Sequence, residues 1–132
     1  WQDTPHAHAF ESLSTGRDGQ EHNWVPRTFD AECLSCHVTG WEPQKVLPFK
    51  SGYVARQTSS HLLGNGCENC HGPGSRHVEL VEAGQVEMSL AEVRVTLEQA
   101  RRQICISCHD LDNRPTFNFD TYWPRITHPG RD

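Results

Sequence analysis

Three copies of one five-residue pattern constrain this 132-residue chain more than anything else in it: Cys33-Leu34-Ser35-Cys36-His37, Cys67-Glu68-Asn69-Cys70-His71 and Cys105-Ile106-Ser107-Cys108-His109. Cys-x-x-Cys-His is the attachment signature of c-type haem. The two thiols add across the haem vinyl groups as thioethers, and the adjoining histidine becomes the proximal iron ligand. All six cysteines fall inside the three copies. The pattern therefore predicts three covalently bound haem c groups, anchored by Cys33, Cys36, Cys67, Cys70, Cys105 and Cys108, with His37, His71 and His109 as proximal ligands.

Other uses of cysteine fit less well. A disulfide framework has scattered spacings and no need of a histidine after every second cysteine. A zinc site brings two Cys-x-x-Cys pairs, or one pair and a spaced histidine pair, onto a single tetrahedral ion. Here each pair carries its own adjacent histidine, whose ring closes poorly onto the same ion as both thiols. A thioredoxin-like motif needs a βαβ setting, which this sequence lacks.

Only 35% of the chain is hydrophobic, and 10 glycines with 8 prolines interrupt it, a thin supply for a core of its own. Haem plates are large apolar surfaces around which such a chain can wrap. The expected fold is mainly α with long irregular loops and little or no sheet, a single trihaem domain over residues 1–132. No apolar run approaches the roughly 18 residues that a membrane span requires. There is no signal peptide, and a start at Trp1 reads as a processed or truncated product. Haem is attached covalently outside the cytoplasm, so the expected address is periplasmic or extracellular. A formal charge of −5, made more negative by haem propionates, argues against nucleic acid as a partner and for redox proteins with a basic patch.

Local signals predict a few short helices. Thr4 and Pro5 suit the start of one over residues 4–15, with His6, Phe10 and Leu13 on a shared face and His8 opposite. Residues 38–59 read as an irregular excursion, with a small hairpin near 46–55. Ser75–Ala83 reads as a helix ended by Gly84. The strongest signal runs from Ser89 to about Cys105: Ser89 and Glu92 match a capping box, and Leu90, Val93, Leu97, Ala100 and Ile104 form one apolar stripe. Glu98 and Arg102 add an i,i+4 ion pair. Trp24, Trp41, Phe49, Tyr53, Phe117, Phe119 and Trp123 are expected to pack against haem faces and edges, or simply in the core. Gly72, Pro73 and Gly74 fit a sharp turn beside a planar ring.

Six of the nine histidines are not proximal: His6, His8, His22, His61, His77 and His128. Met88 is the only methionine, so bis-histidine iron, with its low potentials, is the expectation for most haems. A distal ligand must reach the opposite porphyrin face. Six residues extend to about 20 Å at most, which makes His77 and His61 strained partners for the His71 haem. His128 follows His109 by 19 residues, enough chain to wrap the third haem. His8 and His22 read as surface histidines.

The run Trp1 to Phe10 with His6-Ala7-His8, the string Cys33 to Gly40, and Gly66-Cys67-Glu68-Asn69-Cys70-His71-Gly72-Pro73-Gly74-Ser75-Arg76-His77 resemble multihaem cytochromes of the cytochrome c-554 type. Cys105 to Asp110 and the closing Phe117-Asn118-Phe119-Asp120 to His128 are similar too. The resemblance implies a mainly helical fold and electron transfer between redox enzymes. It also implies that His6 is the distal ligand at the His71 haem and His128 at the His109 haem. His61 becomes a candidate for the His37 haem, an iron left open in some relatives. Family members carry a further haem motif ahead of the residue matching Trp1, and the histidine matching His77 ligates it. Its absence leaves His77 idle, on a haem of a longer parent chain, or on a haem of a neighbouring molecule.

Three functions follow from these readings. The leading one is an electron carrier, with three closely held haems passing electrons between a redox donor and an acceptor protein. The second is an enzyme or gas-binding site acting on nitric oxide, nitrite or hydroxylamine at a five-coordinate His37 haem. Related nitrite reductases put lysine in the histidine place of one motif, and no such variant occurs here. The third is a subunit of an oligomer, a larger multihaem assembly or a filament, with His77 reaching a neighbouring haem.

Overall fold

The computed structural model describes residues 1–16, 23–41 and 52–128. It is mainly helical, as the sequence predicts. Among the described residues the only β pairing is an isolated antiparallel bridge between Val38 and Leu63. The helices are α1 (Glu11–Thr15), α2 (Ala31–His37), α3 (Cys67–His71), α4 (Ser75–Glu82), α5 (Val86–Val93), α6 (Leu97–Gln99) and α7 (Phe119–Tyr122). They group into two compact units, Trp1–Val95 and Thr96–Asp132.

In the first unit the expected helix over 4–15 is realised only as α1. Residues 1–10 wind ahead of it in successive i→i+3 turns, from Thr4 N to Trp1 O through Glu11 N to His8 O. Phe10 and Leu13 are buried and His8 is exposed, as their expected faces require. The Asp30 carboxylate caps α2 by accepting from Glu32 N at 3.0 Å. Leu34 on α2 and Val38 just beyond it are one turn apart and enter a core with Phe10, Leu13 and Tyr53. This core is small, so the first haem motif lies directly beside it. The expected hairpin near 46–55 lies mostly outside the described residues, as do Phe49 and His22.

Helix α4 ends as predicted. Gln85 N bonds Leu80 O at 2.8 Å and Gly84 N bonds Val81 O at 2.9 Å, the paired bonds of a Schellman turn. Gly84 occupies the left-handed position with φ 72°. The chain then turns back into α5, which runs beside α4.

The long helix expected from Ser89 to Cys105 does not form. Ser89 is no cap: it lies inside α5, fully buried, with its hydroxyl on Val86 O at 2.8 Å. Arg94 turns extended after Val93, and a new helix begins at Thr96. Thr96 Oγ1 accepts from Gln99 N at 3.2 Å, while Gln99 Oε1 accepts from Thr96 N at 2.9 Å. This reciprocal capping box outcompetes continuation through the β-branched run Val93, Val95 and Thr96.

In the second unit, α6 widens into a π-helical stretch, Ala100–Ile104, and then tightens to a 3-10 turn, Cys105–Ser107. Glu98 and Arg102 form the expected i,i+4 ion pair. Asn118 caps α7 through Thr121 N at 3.0 Å. Phe119 is buried and stacks on Trp123 at 5.2 Å, under the Arg101 guanidinium that pairs with Asp120.

Candidate haem-binding sites

The first motif occupies the last five residues of α2. Burial, with the nearby Asp30 carboxylate, pushes the Cys33 thiol up from its usual value. None of the six cysteines is in a disulfide. His37 Nδ1 lies 2.6 Å from the carbonyl oxygen of Ala9. A carbonyl can only accept, so Nδ1 carries the proton and Nε2 keeps its lone pair for a metal. Tying the far nitrogen to a carbonyl in this way fixes the tautomer and plane of a metal-bound histidine.

The second motif is α3 itself. It stops where Gly72 takes φ 76°, which a side chain would resist. A Cβ at Gly72 would meet nothing within 4 Å, so backbone conformation rather than protein crowding calls for glycine there. Gly74 N bonds the Glu68 carboxylate at 2.7 Å and closes the turn. His71 repeats the arrangement of His37, with Nδ1 2.6 Å from the carbonyl oxygen of Val93. Val93 ends α5, so the interruption at Arg94 leaves this carbonyl at a helix terminus, where such groups lack an intrahelical partner. One turn earlier on α5, Ser89 O accepts from His77 Nδ1 at 2.9 Å. One short helix thus holds two imidazoles in the same tautomer.

The third motif lies on the 3-10 turn and the residues after it rather than on an α-helix, with His109 N bonded to Cys105 O at 2.9 Å. The His109 ring stacks on Phe117 at 4.6 Å and 7°, and Phe117 in turn on Tyr122 at 5.6 Å. Arg114 donates to the Tyr122 hydroxyl at 2.9 Å.

The expected distal histidines are placed differently from one another. His6 is half-buried, and burial lowers its pKa. Its carbonyl accepts from Asn65 N at 2.8 Å, which sets His6 beside the start of the second motif. His61 is exposed on a 3-10 turn, Ser60–Leu62, with Leu62 O accepting from Thr39 N at 2.8 Å. His128 is exposed at the end of the described residues. His8 has both ring nitrogens engaged, Nδ1 with Glu11 at 3.1 Å and Nε2 with Gln2 O at 2.8 Å, as befits a surface residue.

Side chains that the sequence did not single out lace the first two motifs together. Asn65 Nδ2 donates to Cys36 O at 2.9 Å, and Asn69 Nδ2 to Val38 O at 3.0 Å. Thr39 Oγ1 donates to Gly64 O at 2.9 Å and accepts from Gly66 N at 2.8 Å. Asparagine between the cysteines of the second motif was the available signal.

Among the described residues no three Cys, His, Asp or Glu side chains are grouped to hold a metal ion directly. Unbridged thiol pairs, each followed by a histidine, and two of those histidines tied back through Nδ1, suit haem c rather than a tetrahedral zinc cage. The family described as cytochrome c554 and c-prime matches residues 1–72. The chain belongs to that family. It is 39% identical over 80 residues to cytochrome c-554 of Nitrosomonas europaea, a match covering 56% of this chain and 32% of that protein. It is 34% identical over 101 residues to the multiheme cytochrome MtrA of Shewanella baltica, covering 74% of this chain and 28% of that protein. The chain thus spans about a third of these relatives' length. No solved structure matches it. This cytochrome c554 family member is a multihaem c-type cytochrome with covalently bound haem c. Among the described residues no helix is long and apolar enough to cross a membrane.

Proposed function

We propose that residues 1–132 form a trihaem electron-transfer module. Cys33/Cys36, Cys67/Cys70 and Cys105/Cys108 anchor the haems, and His37, His71 and His109 are the proximal ligands. The observation that carries this reading is the Nδ1-to-carbonyl bond of His37 and of His71, each 2.6 Å long, which leaves Nε2 as the metal-facing nitrogen. Bound haem supplies a one-electron couple at each site. Apolar side chains lie exposed beside two of the motifs: Phe29 beside the first is 90% exposed, and Ile106 and Leu111 at the third are 48% and 81% exposed. Haem faces are the natural cover for such residues.

His6 serves as distal ligand at the His71 haem and His128 at the His109 haem, giving low-potential, six-coordinate iron. His77, prepared by Ser89 O in the same way as the proximal ligands, serves a haem outside these residues, on a longer parent chain or in a neighbouring molecule. The module works in the periplasm or outside the cell between redox donor and acceptor proteins.

At the His37 haem one observation favours a second reading. The bond between Leu62 and Thr39 tethers His61 to the backbone next to the proximal ligand, whereas a distal ligand must stand on the opposite face. An open iron there would take a small nitrogen compound such as nitric oxide, nitrite or hydroxylamine. An electron paramagnetic resonance spectrum of the oxidised protein decides between the readings. Low-spin haem alone supports a pure carrier with His61 in place, and a high-spin signal from one haem supports the open site.

A further inference from the structure

Ala9 O, which accepts from His37 Nδ1, has a second donor. Ser12 Oγ lies 2.7 Å from it and 3.3 Å from His37 Nδ1. Serine in a helix often bonds back to the carbonyl three or four residues earlier, and on that ground alone Ser12 would be unremarkable. Here the carbonyl it meets is the one that orients an iron ligand. Serine, carbonyl and imidazole form a closed triangle between α1 and the end of α2.

We infer that Ser12 is a positioning residue that sets the reduction potential of the His37 haem through the carbonyl of Ala9. The inference rests on His37 being a proximal ligand. Because Nδ1 donates to Ala9 O, the ring gains imidazolate character, donates more strongly to ferric iron and lowers the potential. The Ser12 hydroxyl draws on the same oxygen. Two donors on one acceptor weaken each other, so the imidazole keeps more neutral character and the iron is easier to reduce. Ser12 Oγ can also accept weakly from Nδ1–H, but at 3.3 Å that contribution is smaller than its own donation at 2.7 Å. The net effect of the hydroxyl is to raise the potential.

The test is a spectroelectrochemical titration of the haem-loaded protein, comparing the parent with Ser12→Ala and Ser12→Thr. Ser12→Ala leaves Ala9 O to His37. One haem component should then shift toward the oxidised form by two- to tenfold at fixed potential, roughly 20–60 mV downward for a one-electron couple. The other components should stay in place. Ser12→Thr keeps the hydroxyl and should restore the parent value. A Ser12→Ala protein whose components are all unmoved, or whose moving component rises, overturns the inference. Parallel movement of every component overturns it too, since that signals a structural disturbance. Haem content of each variant is read alongside from the pyridine haemochrome. A full complement with unmoved potentials removes only the role of Ser12, whereas a parent protein lacking haem removes the reading beneath it.

Discussion

Gly64 is the point where the N-terminal segment presses hardest on the lead-in to the second motif. Its φ is +80°, and a Cβ built there would sit 2.1 Å from Ala7 O, 2.8 Å from Ala7 C and 3.1 Å from His6 O. All three are backbone atoms, so no side chain can swing away. In Gly64→Ala the left-handed conformation costs about 1–2 kcal/mol. Forcing the two backbones apart adds about 1–3 kcal/mol. Weakening the 2.8 Å bond from Asn65 N to His6 O adds about 1 kcal/mol. The whole comes to about 3–6 kcal/mol, a large part of the roughly 5–15 kcal/mol that holds a small domain together. Gly84→Ala is the matched control, since Gly84 lies outside the haem motifs and also has positive φ but open space around it. It should lose only the conformational part, about 1–2 kcal/mol. Urea unfolding of the haem-loaded protein, followed by far-ultraviolet circular dichroism, gives both values from the midpoint and slope. If the two variants are destabilised equally, within about 0.5 kcal/mol, the close approach of Ala7 and Gly64 is refuted.

Thr39→Val keeps the volume but removes the hydroxyl that serves Gly64 O and Gly66 N. The buried groups left behind should lower stability by about 1–3 kcal/mol in the same assay, and a neutral result would mean that the lacing is dispensable. Hydrogen bonds to Glu11 and to the Gln2 carbonyl, with the Glu11 charge, raise the pKa of His8 above its ordinary 6.5. A raised folded value stabilises fully below the unfolded pKa and loses that contribution as pH rises through the folded one. The stability difference between the parent and His8→Gln should accordingly be largest below pH 6.5 and fade as the pH rises through the raised folded value, and salt should shrink it. A difference that grows with pH contradicts this. Phe117→Leu removes the ring stacked on both His109 and Tyr122 and should cost about 0.5–1.5 kcal/mol beyond the lost area, which denaturant unfolding of the variant checks.

The motifs were legible because covalent attachment writes its demand into five consecutive residues. Cysteine spacing and the histidine after it need no knowledge of the fold. The turn at Gly84 and the opposite exposures of Phe10 and His8 were legible too, since each depends on neighbours within one helical turn. The helix expected from Ser89 to Cys105 was misread because periodicity tolerates a short interruption. Leu90 and Val93 on one side and Ala100 on the other kept the helical spacing. Leu97, expected in the same stripe, is 53% exposed. The competing Thr96–Gln99 box was present in the sequence but masked by the stronger stripe. The acceptors that orient the imidazoles were not legible at all. Ala9, Val93 and Ser89 contribute backbone carbonyls, which every residue possesses, and tertiary structure alone selects them. Asn65 and Thr39 likewise act across 25 or more residues of intervening chain.

The most direct test of the account is the intact mass of the mature protein under denaturing conditions, read with its pyridine haemochrome spectrum. Thioether bonds survive denaturation, so the account predicts a polypeptide heavier than its amino acids by three haems, with the absorption of haem c. A colourless chain with the mass of its bare sequence would contradict it.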